Sequence, residues 1–220
     1  PGESVKSVRF SGHFAYVVTF RQIDPLYTID ISEPTLPIIT NEIEEEGYST
    51  YLHVWDQHHL IGLGLSADPF GVVTGMKLSA YSDDDKTEPL TTFFINDLDE
   101  DGKYSYGYSE AIHNHKAIMV SPSHGIFAFP VMVWHYWYES GQYHYGYLSY
   151  YMVFFIDFEA TEPSDIISSP IIIEHDVSET YNQVDRGIYI DGIVYTFSFH
   201  QMVSYDLETD TVFENYFYDE

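Results

Sequence analysis

One punctuation mark in this sequence returns often enough to dictate the fold. An aspartate closes a run of β-branched and aromatic residues, and Glu-Pro follows a few residues later. It occurs as Asp30 with Glu33-Pro34, Asp83 with Glu88-Pro89, and Asp157 with Glu162-Pro163; a fourth copy, at Asp206, has Thr209-Asp210 in place of Glu-Pro. An Asp at a strand end accepts a hydrogen bond from a backbone N–H two residues on and so fixes a turn. The proline presets φ and opens an outer strand, where a missing ladder donor costs little. The period is roughly 50 to 60 residues, the scale of a repeat architecture.

Each unit offers four short strands. The first unit spans 5–44 and is clearest at HFAYVVTF, PLYTIDIS and PIITNEIE; the others span 49–97, 116–176 and 182–219. No stretch of 12 residues carries a capped helical period. The second and third strands, such as HHLIGLGL and SYYMVFFIDF, are almost continuously apolar, the pattern of strands buried on both faces. An all-β chain of four four-stranded antiparallel meanders is the direct reading, and its common solution is a β-propeller in one domain. Four blades sit at the lower limit for closure. The chain is expected either to close as a small ring or to belong to a larger or paired propeller whose open edges need cover.

Composition narrows the function. Against 35 Asp and Glu stand 8 Lys and Arg, a formal charge of −27. Such a chain is repelled by a nucleic acid and gains no counterion release from it. The carboxylates are read as solvating a surface in a salty or cell-exterior setting, collecting divalent cations, or facing a cationic partner. At 45% hydrophobic and 18% aromatic residues the chain is far too apolar to be disordered. No window is apolar enough to span a membrane. Cysteine is absent, which rules out a disulfide framework without fixing the compartment. The opening PGESVKSVRF has neither Met nor an apolar leader, so a cut inside a longer protein is expected, with any signal or anchor upstream.

The stretches PGESVKSVRFSG, AYVVTFRQIDPLYTIDISEP, STYLHVWDQHHLIGLG, TGMKLSAYS, YSEAIHNHKA and GIFAFPV resemble the secreted C-terminal β-propeller family of archaea and bacteria, distantly related to WD repeats. The likeness is close from Pro1 to Val131 and loose beyond; TFRQIDPLYTIDIS is its most specific part. The resemblance implies an exported or surface-attached protein in which this region ends a longer chain. It brings no catalytic residues. His115 and Lys116 match a family position that reads as the opening of a blade strand. The chain departs from the family in an aromatic hairpin after Pro130 and an acidic insertion before Tyr104.

That insertion carries the strongest chemical signal. Asp97, Asp99 and Asp101, followed by Gly102, form D-x-D-x-D-G, the first half of a calcium loop. Alternate carboxylates converge on one point, the Lys103 carbonyl completes the arc, and Ser105 can hold a water. Position 12 is Tyr108 where an EF-hand has Glu, and no helices flank the loop, so the expectation is an irregular calcium loop between blades or a solvated acidic turn. Asp83, Asp84 and Asp85 form a second acidic patch that reads as a charged turn. Among 11 histidines the tempting pairs are His58-His59, which face opposite ways in a strand, and His113-x-His115, which share a face and could join in a zinc site. Polar blade positions or hydrogen-bonded core histidines are the favoured reading.

The aromatic segment runs from Trp134 to Tyr147. Ser140-Gly141 is expected to turn a hairpin that projects past its blade. Its arms bear Trp134, Tyr136, Trp137, Tyr138, Tyr143 and Tyr145, which need a partner: a sugar ring, another protein, a neighbouring blade or a second subunit, unless the hairpin folds back as a lid over the propeller. No G-x-S-x-G, P-loop or zincin motif occurs, and Gly62-Leu63-Gly64 lacks the rest of a dinucleotide fingerprint. The expectation is a non-catalytic extracellular or cell-surface binding and scaffold domain, calcium-stabilised where the 97–105 loop holds the ion. It would associate with protein or with itself through edge blades or the hairpin, and with membrane only through segments outside this chain. The alternative is a lectin or carbohydrate-active enzyme using the propeller mouth and the 134–147 hairpin.

Overall fold

The computed structural model describes residues 4–20, 24–84, 86–95, 104–176 and 182–218. Four antiparallel sheets follow one another along the chain. The first contains β1 (Ser4–Ser11), β2 (Phe14–Phe20), β3 (Asp24–Asp30) and β4 (Ile38–Glu45), in that spatial order. The second contains β5 (Tyr48–Val54), β6 (His59–Ala67), β7 (Val73–Ser82) and β8 (Thr91–Phe94), also in order. In the third, β9 (Tyr104–Tyr108) precedes β10 (Met119–Ser121), β11 (Ile126–Glu139), β12 (Gln142–Phe155) and β13 (Ile171–His175). Its spatial order is β10-β11-β12-β13, and β9 pairs with the far half of β11. The fourth contains β14 (Val184–Ile190), β15 (Ile193–Ser198), β16 (Gln201–Asp206) and β17 (Thr211–Phe217) in order.

Local chemistry explains the turns. Asp191 and Gly192 both adopt positive φ (47° and 89°) between the facing residues Ile190 and Ile193. Ser140 and Gly141 do the same (52° and 85°) between Glu139 and Gln142. Two successive left-handed residues match the twist of the flanking strands, and an Asx- or Ser-Gly pair adopts them at least cost. The hairpin anticipated at 140–141 is therefore present, as one continuous ladder from Ile126 to Phe155 rather than an extension grafted onto a blade. Pro130 lies within β11 between the stretch paired to β10, which ends at Ala128, and the stretch paired to β9, which starts at Met132. A residue with no N–H fits where a third strand is missing; there the Pro130 carbonyl accepts a hydrogen bond from Ser109 Oγ.

The opening of the third unit differs from the strand expected over 116–123. Asn114 Oδ1 accepts from the Lys116 N–H (3.3 Å), and the chain tightens into 3₁₀ turns at His115–Ala117 and Pro122–His124, leaving only Met119–Ser121 extended. A side-chain cap on one side and a proline on the other shorten the strand.

By internal packing the chain forms two compact units: residues 1–96 with 157–167, and 97–156 with 168–220. In the first unit, sheets one and two share a core of Tyr16, Val18, Leu26, Ile43, Leu52, Leu60 and Tyr81. In the second, sheets three and four share Ile126, Ala128, Tyr151, Val153, Ile173, Val184, Val194 and Val203. Each such side chain contributes about 1.5–3 kcal/mol by leaving water. From Gly75 to Ser82, β7 is buried at every position, as two-sided packing requires, whereas β17 is exposed at every position.

Candidate functional site

Most of the acidic loop, namely Asp97, Asp99, Asp101 and Lys103, lies outside the described residues. Ser105 is in β9, opposite His135 of β11.

The register of β11 and β12 assembles aromatic residues on one side of a sheet. Trp134 faces Tyr147, Tyr136 faces Tyr145, and Tyr138 faces Tyr143 across the β11–β12 ladder. On the other side of β11, Trp134 faces Tyr106 and Tyr136 faces Tyr104. Directly opposed residues share a face, so the six aromatic residues Trp134, Tyr136, Tyr138, Tyr143, Tyr145 and Tyr147 fall on one surface; the side chain of Trp137 lies outside the described residues. Tyr138, Tyr143 and Tyr145 are 63%, 86% and 75% exposed. Ring pairs form along it, Trp134–Tyr147 with centroids at 5.3 Å and Tyr138–Tyr143 at 4.9 Å. The sequence shows the alternation within β11 and β12; the contribution of β9 had no strand signal strong enough to read.

The four strand-closing aspartates behave unequally. Asp30 Oδ1 accepts from the Ser32 N–H (2.8 Å), Asp157 Oδ1 from Glu159 (2.9 Å), and Asp206 Oδ1 from Glu208 (2.8 Å) and Thr209 (3.1 Å). The Ser32 N–H holds the Asp30 carboxyl below its ordinary pKa, and the N–H groups of Thr209 and Glu208 do the same for Asp206. At Asp83 the residue that would donate, Asp85, lies outside the described residues. Ser82 Oγ accepts from the Asp84 N–H (3.2 Å), and Asp83 Oδ1 lies 3.1 Å from His58 Nδ1. The reach of Asp83 to a residue 25 positions back is invisible to turn chemistry.

The histidine pairs separate. His59 stacks on Phe158 (centroids 4.1 Å, planes 15° apart), with Nδ1 2.8 Å from Asp56 Oδ2. Against its partial desolvation, hydrogen bonds from His58 and His59 hold the Asp56 carboxyl below its usual pKa. His58 turns to Asp83 and Asp84: one ligand atom from each of the three lies within 4.8 Å of the others. The shared face expected of His113 and His115 does not exist, because 3₁₀ turns at Glu110–Ile112 and His115–Ala117 replace the strand. His175 is the hydrogen-bonded core histidine, fully buried, with its ring nitrogens 2.8 Å from Ser198 Oγ and Thr196 Oγ1. Burial lowers its pKa to about 4.

Two surface concavities of the first unit, about 570 and 380 Å³, carry carboxylates: Glu42 and Glu44 beside Ile39, Thr40, Asn41 and Thr87 in the first, and Glu44, Glu45, Glu46, Asp68 and Glu88 as most of the lining of the second. They favour cations and offer no nucleophile-and-base pair.

Four consecutive antiparallel meanders, packed through two-sided inner strands, define a protein of the β-propeller class. The chain belongs to the beta propeller domain family, whose model matches residues 1–210. It is 34% identical over 130 residues to an uncharacterized protein of Archaeoglobus fulgidus, a match covering 58% of this chain and 19% of that protein. It is 29% identical over 225 residues to an uncharacterized protein of Methanocaldococcus jannaschii, covering 98% of this chain and 29% of the relative. The chain thus spans less than a third of the length of these curated relatives.

Proposed function

We propose that this chain is a non-catalytic binding and scaffold propeller domain of a longer extracellular or cell-surface protein. It docks a protein surface, a second copy included, through the aromatic face of the β11–β12 hairpin. That face carries the reading. Tyrosines and a tryptophan gathered on one side of a sheet, several of them mostly exposed, are the composition of an interface anchor. The open edge of sheet four supports it: β17 exposes Val212, Phe213, Tyr216 and Phe217. The placement outside the cell is supported by the formal charge of −27. Among the described residues no helix is long and apolar enough to cross a membrane, and in this reading membrane attachment comes through segments outside this chain. Calcium at Asp97, Asp99, Asp101, Lys103 and Ser105 belongs to the proposal on the strength of its D-x-D-x-D-G pattern.

The exposed phenols also suit the C–H face and hydroxyl rim of a sugar, which makes a lectin the second reading. Sedimentation velocity over a concentration series tests the first, on the wild type and a Tyr143→Ser/Tyr145→Ser variant. Association lost in the variant is the expected result. A polysaccharide panel tests the second. Glycan binding without turnover would replace the protein partner by a sugar, and hydrolysis with a bell-shaped pH profile would overturn the non-catalytic reading.

A further inference from the structure

We propose that His58, Asp83 and Asp84 form a binding site for a divalent first-row transition-metal ion, with zinc the ion their donors suit. The site lies where the β5–β6 turn meets the end of β7. One imidazole nitrogen and two carboxylate oxygens form a mixed set, favourable to zinc and cobalt and poor for calcium, which takes oxygen ligands. This separates the site from the acidic loop at 97–105.

The geometry is nearly closed. His58 Nδ1 and Asp83 Oδ1 are 3.1 Å apart, and all three donors lie within 4.8 Å of one another. Donors at about 2.1 Å from a tetrahedral ion stand about 3.4 Å apart, so the third needs to move about an ångström. Asp84 is exposed, and a change of rotamer supplies that movement.

The backbone beneath the donors is already fixed. The His58 N–H donates to Asp56 Oδ1 (2.8 Å), and the His58 carbonyl accepts from the Asp83 N–H (2.8 Å). The Asp84 carbonyl accepts from Asn41 Nδ2 (3.0 Å) and from the Lys86 N–H (2.6 Å). Three protein ligands leave the remaining positions to water.

The test is a zinc titration of the chelator-treated domain by calorimetry, with excess magnesium to occupy loose carboxylates and in an Asp99→Ala background. Cobalt absorption spectra report the coordination. His58→Ala and Asp83→Asn are compared with the parent, and circular dichroism checks that each is folded. One equivalent of zinc is expected to bind, at least about tenfold more weakly in either variant, since even outer-shell partners of metal ligands carry 10- to 100-fold. Equal zinc binding in parent and variants, or none above magnesium, would overturn the site.

Discussion

Lys77 Nζ lies 2.9 Å from Glu45 Oε2, and their side chains are only 1% and 6% exposed. The pair joins β7 to the end of β4, hence sheet two to sheet one. Lys77 also donates to the Glu46 carbonyl (2.6 Å), while Ser79 and Tyr81 donate to the Glu45 carboxylate. Burial, and then the Glu45 charge, hold the Tyr81 phenol well above its ordinary pKa. Every member of this network has a partner, the condition under which buried charge is tolerable.

Removing one partner leaves the other charge stranded. Lys77→Met is expected to cost about 3–5 kcal/mol. Lys77→Met combined with Glu45→Gln should recover part of that loss. Urea denaturation of the three proteins measures it; a single variant as stable as wild type would show that the pair is dispensable.

His175 makes stability depend on pH. A neutral ring donates through one nitrogen and accepts at the other, so one of its two hydroxyl partners turns its proton toward the ring. Its folded pKa, about 4, lies below the unfolded value of about 6.5, so the unfolded state takes the proton first. This contribution is whole above about pH 6.5 and is lost as pH falls toward 4, about 3 kcal/mol in all. Denaturation at pH 7 and pH 4.5 should show wild type losing more stability than His175→Gln.

Gly64 in β6 permits a close crossing by β5. A Cβ there would lie 1.9 Å from the Tyr48 carbonyl oxygen and 2.6 Å from the Ser49 Cα. Backbone cannot step aside as a side-chain tip can. Gly64→Ala is expected to destabilise by about 3 kcal/mol or more, read as a fall in the thermal midpoint.

The outer tyrosines should be separable from the fold. Tyr143 and Tyr145 are too exposed to contribute to the core. The Tyr143→Ser/Tyr145→Ser variant is expected to keep its unfolding free energy within about 0.5 kcal/mol of wild type. A large loss would mean that the face packs against the protein's own chain.

Calorimetric calcium titration of the chelator-treated domain should give saturable heat that is absent in Asp99→Ala. Equal heat in both would leave the acidic loop as surface solvation.

What the sequence determined alone is whatever local chemistry repeats. The β-branched runs, the strand-closing aspartates and the Glu-Pro marks specify four meanders, because strand propensity and turn conformation are settled by near neighbours. The continuous apolar runs of the inner strands carry their two-sided burial in the same way. The tertiary structure decided what depends on register and on meetings between distant segments. Tyr104 and Tyr106 come opposite Tyr136 and Trp134 only because β9 pairs beside β11. Glu45 meets Lys77, and His58 meets Asp83, because neighbouring turns and sheets pack together. The turn at Asp83 looks in sequence like those at Asp30, Asp157 and Asp206. Its carboxylate also meets an imidazole 25 residues away, and no local pattern encodes a contact at that separation.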